Sequence, residues 1–237
     1  MKTIAVVGAA GYVGSQIAQA VVADKRYKLI SVLRNEITEE LFATADIIIH
    51  AANPAKRFKA ENDPMKDFEE TVEKTAKLVA ASKDKLFVLV SSLSCRTQLN
   101  TTYGRNRRAC ELLALALKDS LVFRLGPMYG GGRTKDTLHD ILLGNPVYLS
   151  AETRYAYVDV VWAANTIIAM LDGSPGIHEI GARNSVRLGD LRDHFASAST
   201  FSVIDDTQIP ENSANGTDAR NVIQFAEKEM IRIHEWM

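Results

Sequence analysis

The chain has 237 residues, 46% of them hydrophobic, and a formal net charge of −1. That length buries a sizeable core and suits one domain with an appendage or two small domains. The balance of charge and apolar residues argues against a disordered chain and against a generic nucleic-acid binder, which is usually basic.

The opening "MKTIAVVGAAGYVG" does not read as a signal peptide, because its apolar run is short and broken by glycines. No run approaches the ~18–20 apolar residues that span a membrane. Cys95 and Cys110 lack metal-ligand spacing and read as reduced thiols. A soluble, cytoplasmic protein is expected.

"TIAVVG" reads as a buried strand, and Val13, Ile17, Ala20 and Val21 then follow at helical spacing. "YKLISVL" is a second strand. "TEELFATA" is one short helix with Thr38 as its N-cap, and "DIIIHAA" a third strand. A helix is expected over 64–83, with Pro64 near its start. "KLFVLVSS" is a fourth strand, 103–118 a helix, and "SLVFRLG" a fifth strand. Such alternation of apolar strands and helices predicts an α/β, doubly wound parallel sheet. The spacer from Arg34 to Ala45 has room for one helix but not for a further strand, so the sheet is expected to be one strand short at one edge.

Beyond Gly126 the pattern loosens. "GPMYGGG" is a turn, 134–144 a helix and "PVYLS" a short strand. "RYAYVDVVWAANTIIAML" starts extended and becomes helical near Val160. "IHEIG" is a strand, "RLGDLRDHFASA" a helix, 205–217 a loop, and the last segment an amphipathic helix. The domain boundary is expected near residue 126, giving 1–126 and 127–237, with 158–181 returning to the sheet.

Gly8, Gly11 and Gly14 sit between the first strand and the first helix, with Tyr12 and Val13 among them. Glycines permit a tight turn and close backbone approach, and the helix N-terminus offers N–H groups to a pyrophosphate. This pattern points to a dinucleotide. Arg34, in "VLRNE", falls where NAD and NADP are distinguished, and an arginine there accommodates a 2′-phosphate. NADP is therefore the preferred cofactor, with NAD as the other choice. Tyr103 and Arg107 stand four apart, on one face of a helix. A neighbouring cation favours the phenolate and lowers its pKa from ~10. His50, at a strand end, reads as a structural histidine. "AKRFK" (55–59) reads as a solvated loop, with contact to an anionic substrate as the other choice. His139, His178, His194 and His234 show no metal spacing.

The glycine loop, "HAA" at 50–52, "VSS" at 90–92 and "YGRNR" at 103–107, in this order, resemble the extended short-chain dehydrogenase/reductases. These are NAD(P)-dependent sugar epimerases, dehydratases and reductases. "FRLGPMYGGG", "RYAYVDVVWAA" and "GIHEIGARNSVRLGDL" extend the likeness over most of the chain. The resemblance implies a Rossmann domain with a smaller C-terminal substrate-binding region, and the missing strand then falls at the adenine-side edge. It implies that Gly8, Gly11, Tyr12, Val13, Gly14, Arg34, Ala51 and Ala52 bind the cofactor. It further implies that Ser92 bonds the substrate oxygen and that Tyr103 is the acid/base. Arg107 stands in the place of the family lysine. Ser94 and Arg154 are expected substrate contacts, Arg154 where many members hold a phosphate; Tyr129, on the "PMYGGG" turn, is a candidate contact to substrate or nicotinamide, with packing as the equal alternative. The family asparagines stand here as Thr71 and Pro127.

An arginine supplies permanent charge but cannot yield a proton. Two functional readings follow, beside a third in which Arg107 is only part of a solvated "RNRR" face. One is an oxidoreductase or epimerase acting on a sugar or nucleotide-sugar. The other is a non-catalytic NADP(H)-binding sensor of the same fold. A homodimer through the helices at 64–83 and 103–118 is implied by the resemblance.

Overall fold

The computed structural model describes residues 1–33, 42–82, 84–212 and 216–235. Two compact units emerge. The first is Met1–Leu125 with Val161–His178, and the second is Gly126–Val160 with Glu179–Met237.

The strands of the first unit are β1 (Lys2–Val7), β2 (Tyr27–Val32), β3 (Ile47–His50), β4 (Leu86–Ser92) and β5 (Ser120–Leu125). With β9 (Gly176–Ile180) they form a six-stranded sheet in the order β2-β1-β3-β4-β5-β9. The pairs from β2 through β5 all run parallel. Ile4, Ala5 and Val6 on β1, Ile48 and Ile49 on β3, and Val88 and Leu89 on β4 are wholly buried. Strands apolar on both faces require helices on both faces. Among the described residues no strand lies between β2 and β3, and β2 stands at the sheet edge; most of the spacer behind the one-strand-short expectation, 34–41, lies outside them. Thr38 and Arg34 lie outside the described residues.

The covering helices are α1 (Tyr12–Ala23), α2 (Arg57–Asn62), α3 (Pro64–Phe68), α4 (Lys74–Ala80), α5 (Ser94–Thr97), α6 (Thr102–Leu115) and α8 (Val160–Ala169). The helix expected over 64–83 is interrupted by a π-helical turn, Glu69–Glu73, and ends at Ala80. Its start follows the expected chemistry: Asp63 caps Lys66 N–H and Pro64 occupies the first turn. Segment 55–59, read as a loop, instead leads into α2. Six residues with a single buried apolar position give no periodicity to detect.

A buried ion pair locks α6 onto the sheet. Glu111 is fully buried and accepts from Arg124 Nε at 2.9 Å and Nη2 at 2.7 Å on β5. It also accepts from Ser91 Oγ on β4 at 2.7 Å and from the Cys95 thiol at 2.8 Å. Burial pushes its carboxyl pKa up, but the Arg124 hydrogen bonds, then those of Cys95 and Ser91, outweigh this and lower it. Burial, then the Glu111 charge, pushes the Cys95 thiol up to about 12. Cys110 is raised by burial as well. Both thiols stay protonated near neutral pH.

In the second unit, β6 (Met128–Tyr129) pairs parallel with β8 (Val158–Asp159). Strand β7 (Arg154–Tyr155) pairs antiparallel with β10 (Val186–Arg187). Helices α7 (Thr137–Leu142), α9 (Leu188–His194) and α10 (Asn221–Glu235) complete it. Helix α7 is shorter than the expected 134–144. Asp136 caps it through His139 N–H, and Gly144 follows at φ +70°. "PVYLS" is not a strand: it makes one isolated bridge, Val147 to Phe201. Pro146 has no N–H to give to a ladder.

Candidate active site

The carboxyl ends of β1, β3 and β4 reach one edge of the sheet, with Val7 beside His50 and His50 beside Leu89. Gly8 leaves β1 at φ +88°. A Cβ there would stand 2.8 Å from Ala52 Cα, so only glycine passes so close to the end of β3. A Cβ on Gly14 would stand 2.0 Å from Gly8 O, and this contact draws α1 tightly against the corner. Gly11 is the N-cap of α1, and the first intrahelical bond runs from Ser15 N–H to Gly11 O at 2.8 Å. The N–H groups of Tyr12, Val13 and Gly14 therefore have no acceptor within the helix. No acidic residue occupies that first turn, so nothing there opposes an anion.

Ser92 and Tyr103 meet at the same edge. Thr101 caps α6 by accepting from Gly104 N–H at 3.0 Å. Glu61 of α2 accepts from Thr102 N–H at 2.6 Å and Tyr103 N–H at 3.4 Å. A Cβ on Gly104 would lie 2.0 Å from Gln98 O, so α6 sits directly on the segment that follows α5. These contacts fix the Tyr103 ring, which is 6% exposed. The Arg107 guanidinium lies 4.5 Å from the ring centroid and that of Arg57 lies 5.8 Å away. Arg107 also donates to Pro54 O. Burial pushes the phenol pKa up. The charge and hydrogen bond of Arg107, then the Arg57 charge and the Ser92 hydroxyl, outweigh it, and the net shift is below the ordinary value. Ser92 Oγ donates to Ser94 Oγ and accepts from Ser94 N–H, both at 3.3 Å. Ser94 itself is fully buried.

His50 is wholly buried. Ala52 N–H points at its Nδ1 at 3.4 Å and Nε2 lies 3.1 Å from Thr75 Oγ1, which assigns the proton to Nε2. Burial, then the charges of Lys74 and Arg107, push its pKa down to about 3. It is neutral at pH 7 and structural, as its strand-end position suggests. An unfolded histidine titrates near ~6.5. Between these values the unfolded chain binds a proton that the folded chain refuses. The contribution is full above about pH 6.5 and is lost as pH falls toward 3. His50→Asn is expected to remove about 2 kcal/mol of the stability lost between about pH 7.5 and pH 5, read from urea midpoints at the two values. Equal pH slopes in the two proteins would refute this account.

Four neighbours of the site escape sequence reasoning: Asn53, Arg57, Glu61 and Lys74. Lys74 Nζ donates to Ala52 O at 3.3 Å. The one available signal was the basic "AKRFK". The other expected residues fall as follows. Ala51 and Ala52 are half-buried at the end of β3. Tyr129 is buried in the second unit, 5.1 Å from the Phe225 ring, and burial, then Asp159, pushes its phenol up to about 12. Arg154 is exposed on β7. Arg34 lies outside the described residues. No group of three metal-ligating side chains occurs among the described residues.

The sequence model of the NAD dependent epimerase/dehydratase family matches residues 4–144, more than half of the chain. The chain belongs to that family. A search of curated proteins returned no match. Among solved structures, a UDP-N-acetylglucosamine 4-epimerase from Methanobrevibacter ruminantium M1, in complex with UDP-N-acetylmuramic acid, superposes with TM-score 0.79 at 15% identity, covering 100% of this chain and 99% of that one. MoeE5 in complex with UDP-glucose and NAD gives 0.73 at 16% identity, over 94% and 92%. A dTDP-4-dehydrorhamnose reductase from Yersinia enterocolitica gives 0.76 at 15%, over 96% and 99%. At such identities these structures speak for the epimerase/dehydratase fold. Family membership lends no support to the non-catalytic alternative.

The residues present fit the dinucleotide that this family takes. The glycine corner leaves space that side chains would fill, and it presents N–H groups. At the end of β3, Arg107 Nη1 and both amide atoms of Asn53 are buried without a hydrogen-bond partner. Each such group costs about 1–3 kcal/mol, which a ligand's hydroxyls would offset. No helix among the described residues is long and apolar enough to cross a membrane.

Proposed function

We propose that this protein is an NAD(P)-dependent oxidoreductase or epimerase acting on a sugar or nucleotide-sugar, with Tyr103 as acid/base. The observation that carries this is the buried Tyr103 phenol, shifted toward phenolate, at the sheet edge that also holds the glycine corner. Gly8, Gly11 and Gly14, with the N–H groups of Tyr12 and Val13, hold the pyrophosphate, and Ala51 and Ala52 line the inner part of the cofactor site. A bound nicotinamide supplies the hydride acceptor or donor.

Ser92 turns its hydroxyl proton from Ser94 Oγ to the reacting oxygen of the substrate, while Ser94 N–H still orients the Ser92 oxygen. Tyr103 takes the hydroxyl proton when that carbon is oxidised and returns it when the carbonyl is reduced. Arg107 keeps the phenolate accessible. Its guanidinium supplies charge without a dissociable proton, so Tyr103 exchanges protons with the substrate and not through residue 107. Tyr129 and Arg154 are proposed as substrate contacts from the family likeness alone, with Arg154 meeting a phosphate. NADP remains the preferred coenzyme because of Arg34, with NAD as the alternative that MoeE5 holds in its complex. A homodimer is consistent with Met65, Phe68 and Leu112, exposed apolar side chains on α3 and α6. The reading carries a cytoplasmic location with it, where nucleotide-sugars and coenzyme are both at hand.

The test is incubation of the protein with a panel of nucleotide-sugars and coenzyme carrying deuterium at nicotinamide C4. Deuterium in a recovered sugar supports a reductase, and a sugar recovered unlabelled with one carbon inverted supports an epimerase, which returns the hydride it took. Coenzyme that binds while no sugar is labelled, inverted or otherwise converted returns the sensor alternative.

A further inference from the structure

Helix α2 was invisible in the sequence, yet it touches the candidate acid/base twice. Arg57 and Glu61 are four residues apart and so share one face of this helix. Both turn to the start of α6. Glu61 accepts from the N–H groups of Thr102 and Tyr103 and from the Thr102 hydroxyl at 3.2 Å. The Arg57 guanidinium lies 5.8 Å from the Tyr103 ring centroid. The two contacts are independent observations of one orientation.

We propose that Arg57 is a positioning residue for Tyr103, a second fixed cation held over its ring by α2 while Glu61, on the same face, anchors α2 to the first turn of α6. The proposal rests on Tyr103 being the acid/base of the proposed reaction, and it explains how the site works with arginine at 107. Arg107 spreads its charge over a planar group, commits an N–H to Pro54 O and lies against the ring. A lysine ammonium would be a compact charge. The groups facing Tyr103 are Arg107 from its own helix, Ser92 from β4, and Arg57 and Glu61 from α2. The carboxylate of Glu61 is engaged by backbone N–H groups at the helix start, where the helix dipole also favours it.

The experiment is an ultraviolet titration of the Tyr103 phenol in coenzyme-free protein, isolated by subtracting the curve of Tyr103→Phe. Arg57→Gln is expected to raise the midpoint by on the order of 0.5–1 unit. Arg57→Lys, which keeps the charge, is expected to restore most of that shift. Arg107→Met serves as the sensitivity control and is expected to raise the midpoint further. With a labelled sugar in hand, the pH–rate profile should show its Tyr103 limb moving by the same amount in Arg57→Gln. Superimposable curves for wild type and Arg57→Gln, beside a shifted Arg107→Met, would overturn the proposal. So would an equal shift in Arg57→Lys, which would mean that packing and not charge is responsible. Because this readout needs neither coenzyme nor substrate, a shifted phenol in a protein that neither labels nor converts any sugar would retain the Arg57 contact while ending the proposed activity.

Discussion

Tyr103→Phe is expected to slow hydride transfer by on the order of 10²–10⁴ while coenzyme affinity stays within about twofold. The two side chains differ by one oxygen. A phenylalanine ring at this position would still fill the same buried volume under Arg107 and Arg57, so neither a cavity nor a lost cation contact confuses the result. What disappears is the group that accepts or returns the proton. In the proposed mechanism the substrate hydroxyl must then lose its proton to water as hydride leaves, with Ser92 still bonding its oxygen. Single-turnover absorbance at the reduced nicotinamide band reads the chemical step, and coenzyme fluorescence reads affinity. A rate unchanged by the substitution would mean that the reacting oxygen sits elsewhere.

Much of this site was legible in the chain because its parts are local. A strand, a glycine corner and a helix occupy consecutive residues, so "IAVVGAAGYVG" carries its own geometry. Tyr103 and Arg107 lie one helical turn apart, and their contact follows from spacing alone. The run of apolar strands announced a parallel sheet.

What stayed hidden was decided by tertiary packing. Arg57 looked like part of a solvated "AKRFK" because its partner, Tyr103, is distant in the chain. The π-helical turn at Glu69–Glu73 has no signature in the residues that form it. It displaces the helix register just before Lys74 and Thr75, two residues that meet Ala52 and His50. "PVYLS" has strand-like side chains but lacks a neighbouring strand to receive it. Glu111 is the plainest case. A glutamate in a basic helix reads as surface charge, yet it is the buried anchor that joins α6 to β4 and β5. Removing one partner of such a pair costs more than the pair contributes, so these residues report on the packing of the site as well as on stability.

The central claim is that the coenzyme's diphosphate docks on the N-terminus of α1, and Gly11 is the position at which to challenge it. Its backbone is extended, at φ −77°, so any residue can adopt it, and an added Cβ would stand 3.2 Å from Gly8 O. Gly11→Ala carries that small crowding and serves as the control. Gly11→Asp adds a carboxylate that caps the same N–H groups the diphosphate needs and repels its charge. As a better N-cap than glycine it should not weaken the helix. The measurement is fluorescence titration of the three proteins with NADH and NADPH. The account predicts similar affinity for wild type and Gly11→Ala, and a loss on the order of 10–100-fold for Gly11→Asp. Equal affinity in all three proteins would place the coenzyme away from this corner and contradict the account.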